Sequence, residues 1–173
     1  GRDVKLGSTN AGRDVEVEAK QDIALATTDA GRDILLKSGR HTEAKTTTAA
    51  GSLTANAGDT LTLGHAQTKG DQMLTAQGDL SADALESTGG VIVASSEAGT
   101  LKSGTTTAQA VSFTAKAGSI EADQSEATVG DLSFKAAQDV VANASRAEQD
   151  VLVEAGRDVK LGSTNAGRDV EVE

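Results

Sequence analysis

Residues 11–29 read AGRDVEVEAKQDIALATTD, and residues 30–48 read AGRDILLKSGRHTEAKTTT. Both windows are 19 residues long and both open on Ala-Gly-Arg-Asp. In each, the Asp is followed by an apolar residue, a spacer and a second apolar residue: Val15/Val17 and Ile34/Leu36. Inside the first window the same pattern recurs as Ile23/Leu25. Alternation with a period of two marks a strand with one buried face.

Working outward, the glycines fall on two interleaved ladders. Gly1, Gly39, Gly58, Gly78, Gly99, Gly118 and Gly156 form the first, with Lys20 and Gln138 on its remaining rungs. Gly12, Gly31, Gly51, Gly70, Gly89, Gln109, Gly130, Gln149 and Gly167 form the second. Rungs on either ladder are 18 to 21 residues apart, so the chain is about nine copies of one unit. Apolar pairs follow the first ladder at Val4/Leu6, Leu61/Leu63, Leu80/Ala82, Ile120/Ala122, Val140/Ala142 and Val159/Leu161. They follow the second at Leu53/Ala55, Val91/Val93, Val111/Phe113, Leu132/Phe134, Val151/Val153 and Val170/Val172. The turns between carry Gly-Asp or Gly-Arg-Asp, where glycine is expected to supply positive φ and Asp to bond the local backbone.

A two-strand unit cannot bury its apolar face alone, but stacked equivalent units can. The reading is therefore an all-β parallel β-helix (β-solenoid) of about nine coils, with near 19 residues per coil, spanning residues 1–173 as one domain. A narrow interior explains why Phe113 and Phe134 are the only aromatics. They sit at equivalent positions and are expected to stack on adjacent coils. The chain has no proline, which suits strands that must donate to both neighbours. The unit at His41–Thr48 places Thr42 and Ala44 where an apolar pair belongs, which predicts a weaker wall or a bulge. The longest periods, near Gly99 and Gly130, predict insertions in turns.

Composition removes several function classes. The chain has no cysteine, so disulfide scaffolds, thiol catalysis and cysteine zinc sites are excluded. A net charge of −10 argues against a nucleic-acid partner. No run of about 18 apolar residues is present to form a membrane-spanning helix. The start at Gly1, without a signal-peptide pattern, reads as an interior fragment. Residues 1–18 repeat letter for letter at 156–173. Such identity is a deliberate duplication or a natural long-period array, and open solenoid ends invite end-to-end association.

Ala11-Gly12-Arg13-Asp14-Val15, Ala30-Gly31-Arg32-Asp33-Ile34, Ala155-Gly156-Arg157-Asp158-Val159 and Ala166-Gly167-Arg168-Asp169-Val170 resemble the haemagglutinin repeats of filamentous haemagglutinin. Related two-partner-secreted exoproteins and contact-dependent inhibition stalks share these repeats. The resemblance covers the whole chain at low identity per unit. It implies a right-handed coil and a rigid shaft, secreted to a Gram-negative cell surface through an outer-membrane partner. The parent protein would meet a host-cell receptor or glycan. The expected function is a structural shaft segment without catalysis. The alternative is a fibre module, engineered or natural, that stacks through its identical ends.

No catalytic, cofactor or metal residues are assigned. His41 and His65 lie 24 residues apart, not a whole number of coils, and read as surface histidines. The recurrent Asp3, Asp14, Asp22, Asp33, Asp59, Asp79, Asp131, Asp139, Asp150, Asp158 and Asp169 read as turn formers rather than paired acid–base carboxylates. Arg2, Arg13, Arg32, Arg157 and Arg168 read as partners of those Asp residues rather than a site for anionic sugars. Lys69-Gly70-Asp71 resembles an integrin-type tripeptide, and Asn143-Ala144-Ser145 fits a glycosylation acceptor; Gly70 already belongs to the turn ladder. Thr46–Thr48 and Thr105–Thr107 suggest an ice-binding face that the intervening coils do not fill. A sugar-cleaving β-helix enzyme is disfavoured by the absence of Trp and Tyr.

Overall fold

The computed structural model describes residues 1–173 and contains strands and turns only. One set of strands follows the first ladder: β1 (Val4–Ala11), β3 (Ile23–Ala30), β5 (Thr42–Ala49), β7 (Leu61–Thr68), β9 (Leu80–Ser87), β11 (Leu101–Ala108), β13 (Ile120–Ala127), β15 (Val140–Ala147) and β17 (Val159–Ala166). The other follows the second: β2 (Val15–Ala19), β4 (Ile34–Ser38), β6 (Leu53–Ala57), β8 (Gln72–Ala76), β10 (Ile92–Ser96), β12 (Val111–Ala115), β14 (Leu132–Ala136), β16 (Val151–Ala155) and β18 (Val170–Val172). Each set forms a nine-stranded parallel sheet in which a strand pairs only with the strands one coil away. Coil 1 is β1 with β2, and coil 9 is β17 with β18. The architecture is a β-solenoid of nine coils, near 19 residues each.

The first set is longer than the apolar pairs suggest. In β7, Leu61, Leu63, Ala66 and Thr68 are buried, so the inward parity changes in the middle of the strand. Gly64 and its neighbour Lys45 drop out of the pairing register at that point. The strand bends there, and the sheet folds into two facets. With the shorter strands the coil has three walls. The wall without an apolar pair is lined by Thr28, Thr47, Ala66, Leu85, Thr106, Ser125 and Ser145, all buried.

The core is one continuous cluster of 39 buried apolar residues. Space is shared out within each coil. Coil 5 has alanine, Ala82 and Ala94, at the second inward position of two walls, and Leu85 fills from the third. Coils 6 and 7 carry Phe113 and Phe134 opposite Ser103 and Ala122. The two rings pair in register with centroids 5.7 Å apart and planes tilted by 37°, a favoured aromatic geometry. That placement agrees with the sequence reading.

Three sequence expectations need correction. No residue, glycine included, has positive φ. The ladder glycines serve close approach instead. A Cβ on Gly89 would lie 2.7 Å from the Lys69 carbonyl oxygen in the coil before it. On Gly31 or Gly58 it would strike the carbonyl of Gly12 or Gly39. Second, the unit at 42–49 has neither a gap nor a bulge. Thr42 and Ala44 are buried in unbroken register with Ile23, Leu25, Leu61 and Leu63. The Thr42 hydroxyl donates to Ser38 Oγ at 2.8 Å, so its polarity is absorbed inside the coil. Third, Val91 and Val93 are not the buried pair. They are 36% and 40% exposed, and Ile92 and Ala94 point inward. The turn at 88–91 is one residue longer than the usual three, and a slip of one residue exchanges the faces of a strand. The other insertions do lie in turns, at 97–100, 116–119 and 128–131.

Gly58→Ala is expected to lower stability by about 1–3 kcal/mol through overpacking. Gly12→Ala, where nothing lies within 4 Å of an added Cβ, is expected to leave it nearly unchanged. Thermal unfolding followed by circular dichroism separates the two. Equal effects would remove the close-approach account.

Candidate functional site

The turns concentrate the chemistry of this chain, so they are the place to look for a site. A turn Asp does not bond its own turn, as the sequence reading expected. Its Oδ1 accepts the backbone N–H of the equivalent turn in the next coil. Asp33 accepts from Ser52 at 2.8 Å, Asp71 from Val91 at 2.9 Å and Asp79 from Thr100 at 2.8 Å. Asp3, Asp14, Asp22, Asp131, Asp139 and Asp150 do the same at 3.1–3.3 Å. Carboxylates used this way are acceptors for fixed amides and are not aimed at one shared point.

The arginines pair as the sequence reading preferred. Arg32 donates through Nε and Nη2 to both oxygens of Asp14, at 3.1 and 2.6 Å. Arg157 repeats this on Asp139 at 3.2 and 2.6 Å. Arg168 reaches Asp150 at 3.0 Å. In every case the arginine reaches back to the preceding coil. Arg2 and Arg13 belong to coil 1 and make no such pair. The sequence reading passed over Arg40, which donates to Asp22 at 2.8 Å. The signal was there, because Arg40 follows a ladder glycine. It also passed over the lysine–glutamate rungs Lys37–Glu18, Lys102–Glu121, Lys116–Glu97 and Lys135–Glu154. The guanidinium hydrogen bonds hold Asp14, Asp22 and Asp139 below the ordinary carboxylate value, against a smaller opposing effect of desolvation.

The histidines are held apart. His41 lies in a turn, with Nδ1 2.8 Å from Thr60 Oγ1 and 3.7 Å from Asp59 Oδ2. His65 is exposed on β7, just past the bend. No group of three or more His, Cys, Asp or Glu side chains comes together in metal-binding geometry. Lys69-Gly70-Asp71 is a turn like its neighbours, and Gly70 O accepts from the Thr68 and Ser87 hydroxyls at 2.6 and 2.7 Å. Asn143 donates to Asp123 Oδ1 at 2.9 Å on the neighbouring coil. The middle threonine of each triplet, Thr47 and Thr106, faces inward. Neither triplet therefore presents three hydroxyls to solvent. The outer faces carry only shallow, open depressions, such as the one lined by Thr105, Gln124 and Arg146.

Two buried polar features went unread in the sequence. Gln72 occupies the inward column that elsewhere holds Val, Ile or Leu and is completely buried. Its Nε2 donates to Glu86 O at 2.7 Å and lies 3.2 Å from Ala66 O, tying coil 4 to coil 5. The missing apolar pair after Gly70 was its only signal. The second feature is the hydroxyl column of the third wall. The Oγ atoms of Thr28, Thr47, Ser125 and Ser145 are buried without a partner.

No family model, curated protein or solved structure matches the chain.

Two outcomes are expected. Thr47→Val exchanges an unpartnered buried hydroxyl for a methyl of similar shape and should stabilise by about 1 kcal/mol. A lowered melting temperature would show that Thr47 has a partner. For the ion pairs, the sign follows from linkage. A carboxylate held low in the folded state contributes fully above its ordinary value of 3.8, and the contribution fades as pH falls through its lower folded value. Acidification from above 3.8 down through that lower value should therefore destabilise the wild type more than Asp14→Asn/Asp22→Asn/Asp139→Asn. The effect should be small, because these pairs are exposed. Parallel melting curves down to pH 2 would contradict it.

Proposed function

We propose that the chain is a shaft segment of a secreted bacterial surface exoprotein, a rigid spacer that performs no catalysis. The carrying observation is that the backbone, nine turn carboxylates and most ion pairs bond to a neighbouring coil. Backbone ladders, turn carboxylates and most ion pairs all run along the axis. An outer surface on which carboxylates serve fixed amides and no Trp or Tyr is present suits a spacer better than a sugar-cleaving enzyme. The AGRDV-type repeats support the narrower reading of a haemagglutinin-repeat filament delivered by an outer-membrane partner, whose parent protein meets a host receptor or glycan. A second reading, a fibre-forming module, draws support from the identical sequences at 1–18 and 156–173.

The spacer reading is testable by distance. Lys37 and Lys135 lie in one outward column, five register steps apart. Spin labels placed there through Lys37→Cys/Lys135→Cys, in a chain without native cysteine, should give one narrow distance near roughly 24 Å. A broad distribution would contradict a rigid spacer. Antibody against the chain should stain intact source cells, and staining only after lysis would overturn the surface location.

A further inference from the structure

Residues 1–18 and 156–173 are one sequence, so coils 1 and 9 are chemically interchangeable. Coil 1 sits on coil 2 through two full ladders, Val4–Ala11 on Ile23–Ala30 and Val15–Ala19 on Ile34–Ser38. Arg32 clamps Asp14, Lys37 Nζ lies 3.3 Å from Glu18 Oε1, and the Asp22 N–H donates to Asp3 at 3.3 Å. Coil 9 carries the counterparts Asp158, Asp169 and Glu173, and their carboxylates bond nothing. Val170 and Val172 are 48% and 49% exposed, whereas their counterparts Val15 and Val17, under coil 2, are 5% and 7% exposed.

We infer that coil 9 of one copy takes the place of coil 1 on coil 2 of a second copy, freeing residues 1–18 of that second copy as an arm. The interface so formed is identical in sequence to one the molecule already makes. Asp169 meets Arg32, Glu173 meets Lys37, and Asp158 accepts the Asp22 N–H of the second copy. Val170 and Val172 become covered. Each copy in such a chain keeps the same number of coil-to-coil interfaces while folding one coil fewer. The disorder regained by the released arm therefore offsets the cost of association.

Direct stacking of coil 1 on coil 9 is the competing arrangement; it would let Arg2 and Arg13 clamp Asp158 and Asp169, but it also carries like-charge contacts that exchange avoids. In register it sets Lys5 beside Lys160, Glu16 beside Glu171 and Glu18 beside Glu173. Like charges directly opposed across strands are destabilising. Exchange replaces the last of these clashes with an ion pair. The inference goes beyond the spacer reading and does not depend on it.

The test is cross-linking of the full chain, which has no cysteine of its own. Paired residues on neighbouring parallel strands lie within disulfide reach. Lys37→Cys/Glu173→Cys should give reducible dimers and longer ladders under mild oxidation, increasing with protein concentration. Lys5→Cys/Lys160→Cys, a pair that only direct stacking sets side by side, should give far less. Ladders from the second pair alone would establish direct stacking and overturn exchange; no ladder from either pair would also overturn it. As a check that needs no cysteine, Glu173→Lys should weaken assembly several-fold in sedimentation velocity, since it opposes Lys37. Strengthened assembly would contradict exchange, because under direct stacking the same change relieves the Glu18 clash. The distance between labels at 37 and 135 within one copy stays fixed in all these cases, so failure here leaves the spacer reading standing.

Discussion

The backbone hydrogen bond between one coil and the next is the interaction on which the rest of this structure depends. Of 134 backbone–backbone bonds, 86 lie within the strands and 48 outside them. The strand bonds join neighbouring coils because every strand pairs only with strands one coil away. The other 48 do so too, as in Gly51 N–H to Arg32 O and Gly78 N–H to Asp59 O, at 2.7 and 2.8 Å. No turn closes on itself. A coil taken alone would leave its backbone groups without internal partners, so coils form only against one another, as nearest-neighbour stability requires of a solenoid.

That constraint propagates to the side chains. Turns that bond only to their neighbours must stack at strand spacing, which brings carbonyls against the Cα of the residue above and selects glycine. A turn amide that no carbonyl reaches is mostly met by an Asp oxygen from the coil before, and at Gly90, Gly99 and Asp139 by a serine hydroxyl. The same stacking brings Arg and Asp, or Lys and Glu, into columns. These exposed pairs adjust register and surface charge more than stability, which rests on the continuous apolar interior. Three walls close around that interior so tightly that volume is traded within a coil, as Leu85 makes up for Ala82 and Ala94. Gln72 shows that the interior tolerates a polar side chain where a neighbouring carbonyl can be reached, and Thr28 and Thr47 that it also holds hydroxyls without partners.

The repeat, its period, the two strand columns and the Phe113–Phe134 stack were all legible in the sequence, because period-two alternation and glycine spacing are local signals. The third wall was not. Thr, Ser and Ala at Thr28, Thr47, Ser125 and Ala66 carry no hydrophobic contrast, and the bend at Gly64 breaks the very periodicity by which strands are recognised. The inward choice of Ile92 over Val91 was hidden because three β-branched apolar residues run together there, and only the turn length decides between them. The role of the turn Asp residues was half legible. Their recurrence was plain, but an acceptor one coil away looks in sequence like an acceptor in its own turn. Of the candidate site residues, the Arg–Asp pairs were anticipated. Gln72 escaped because it shows itself only as the absence of an expected apolar pair.

A molecule built this way gains length by adding coils, with little demand on the identity of any one of them, and this is the physical sense in which it suits a shaft. The claim beneath that reading is that turns are held as firmly as strands, by the coil next door. Amide hydrogen exchange read by mass spectrometry tests it most directly. In the middle coils, the turn amides of Gly51, Gly70 and Gly78 should exchange as slowly as those of β6 and β7, with protection falling only toward coils 1 and 9. Fast exchange at every turn, giving a sawtooth along the chain, would contradict the account.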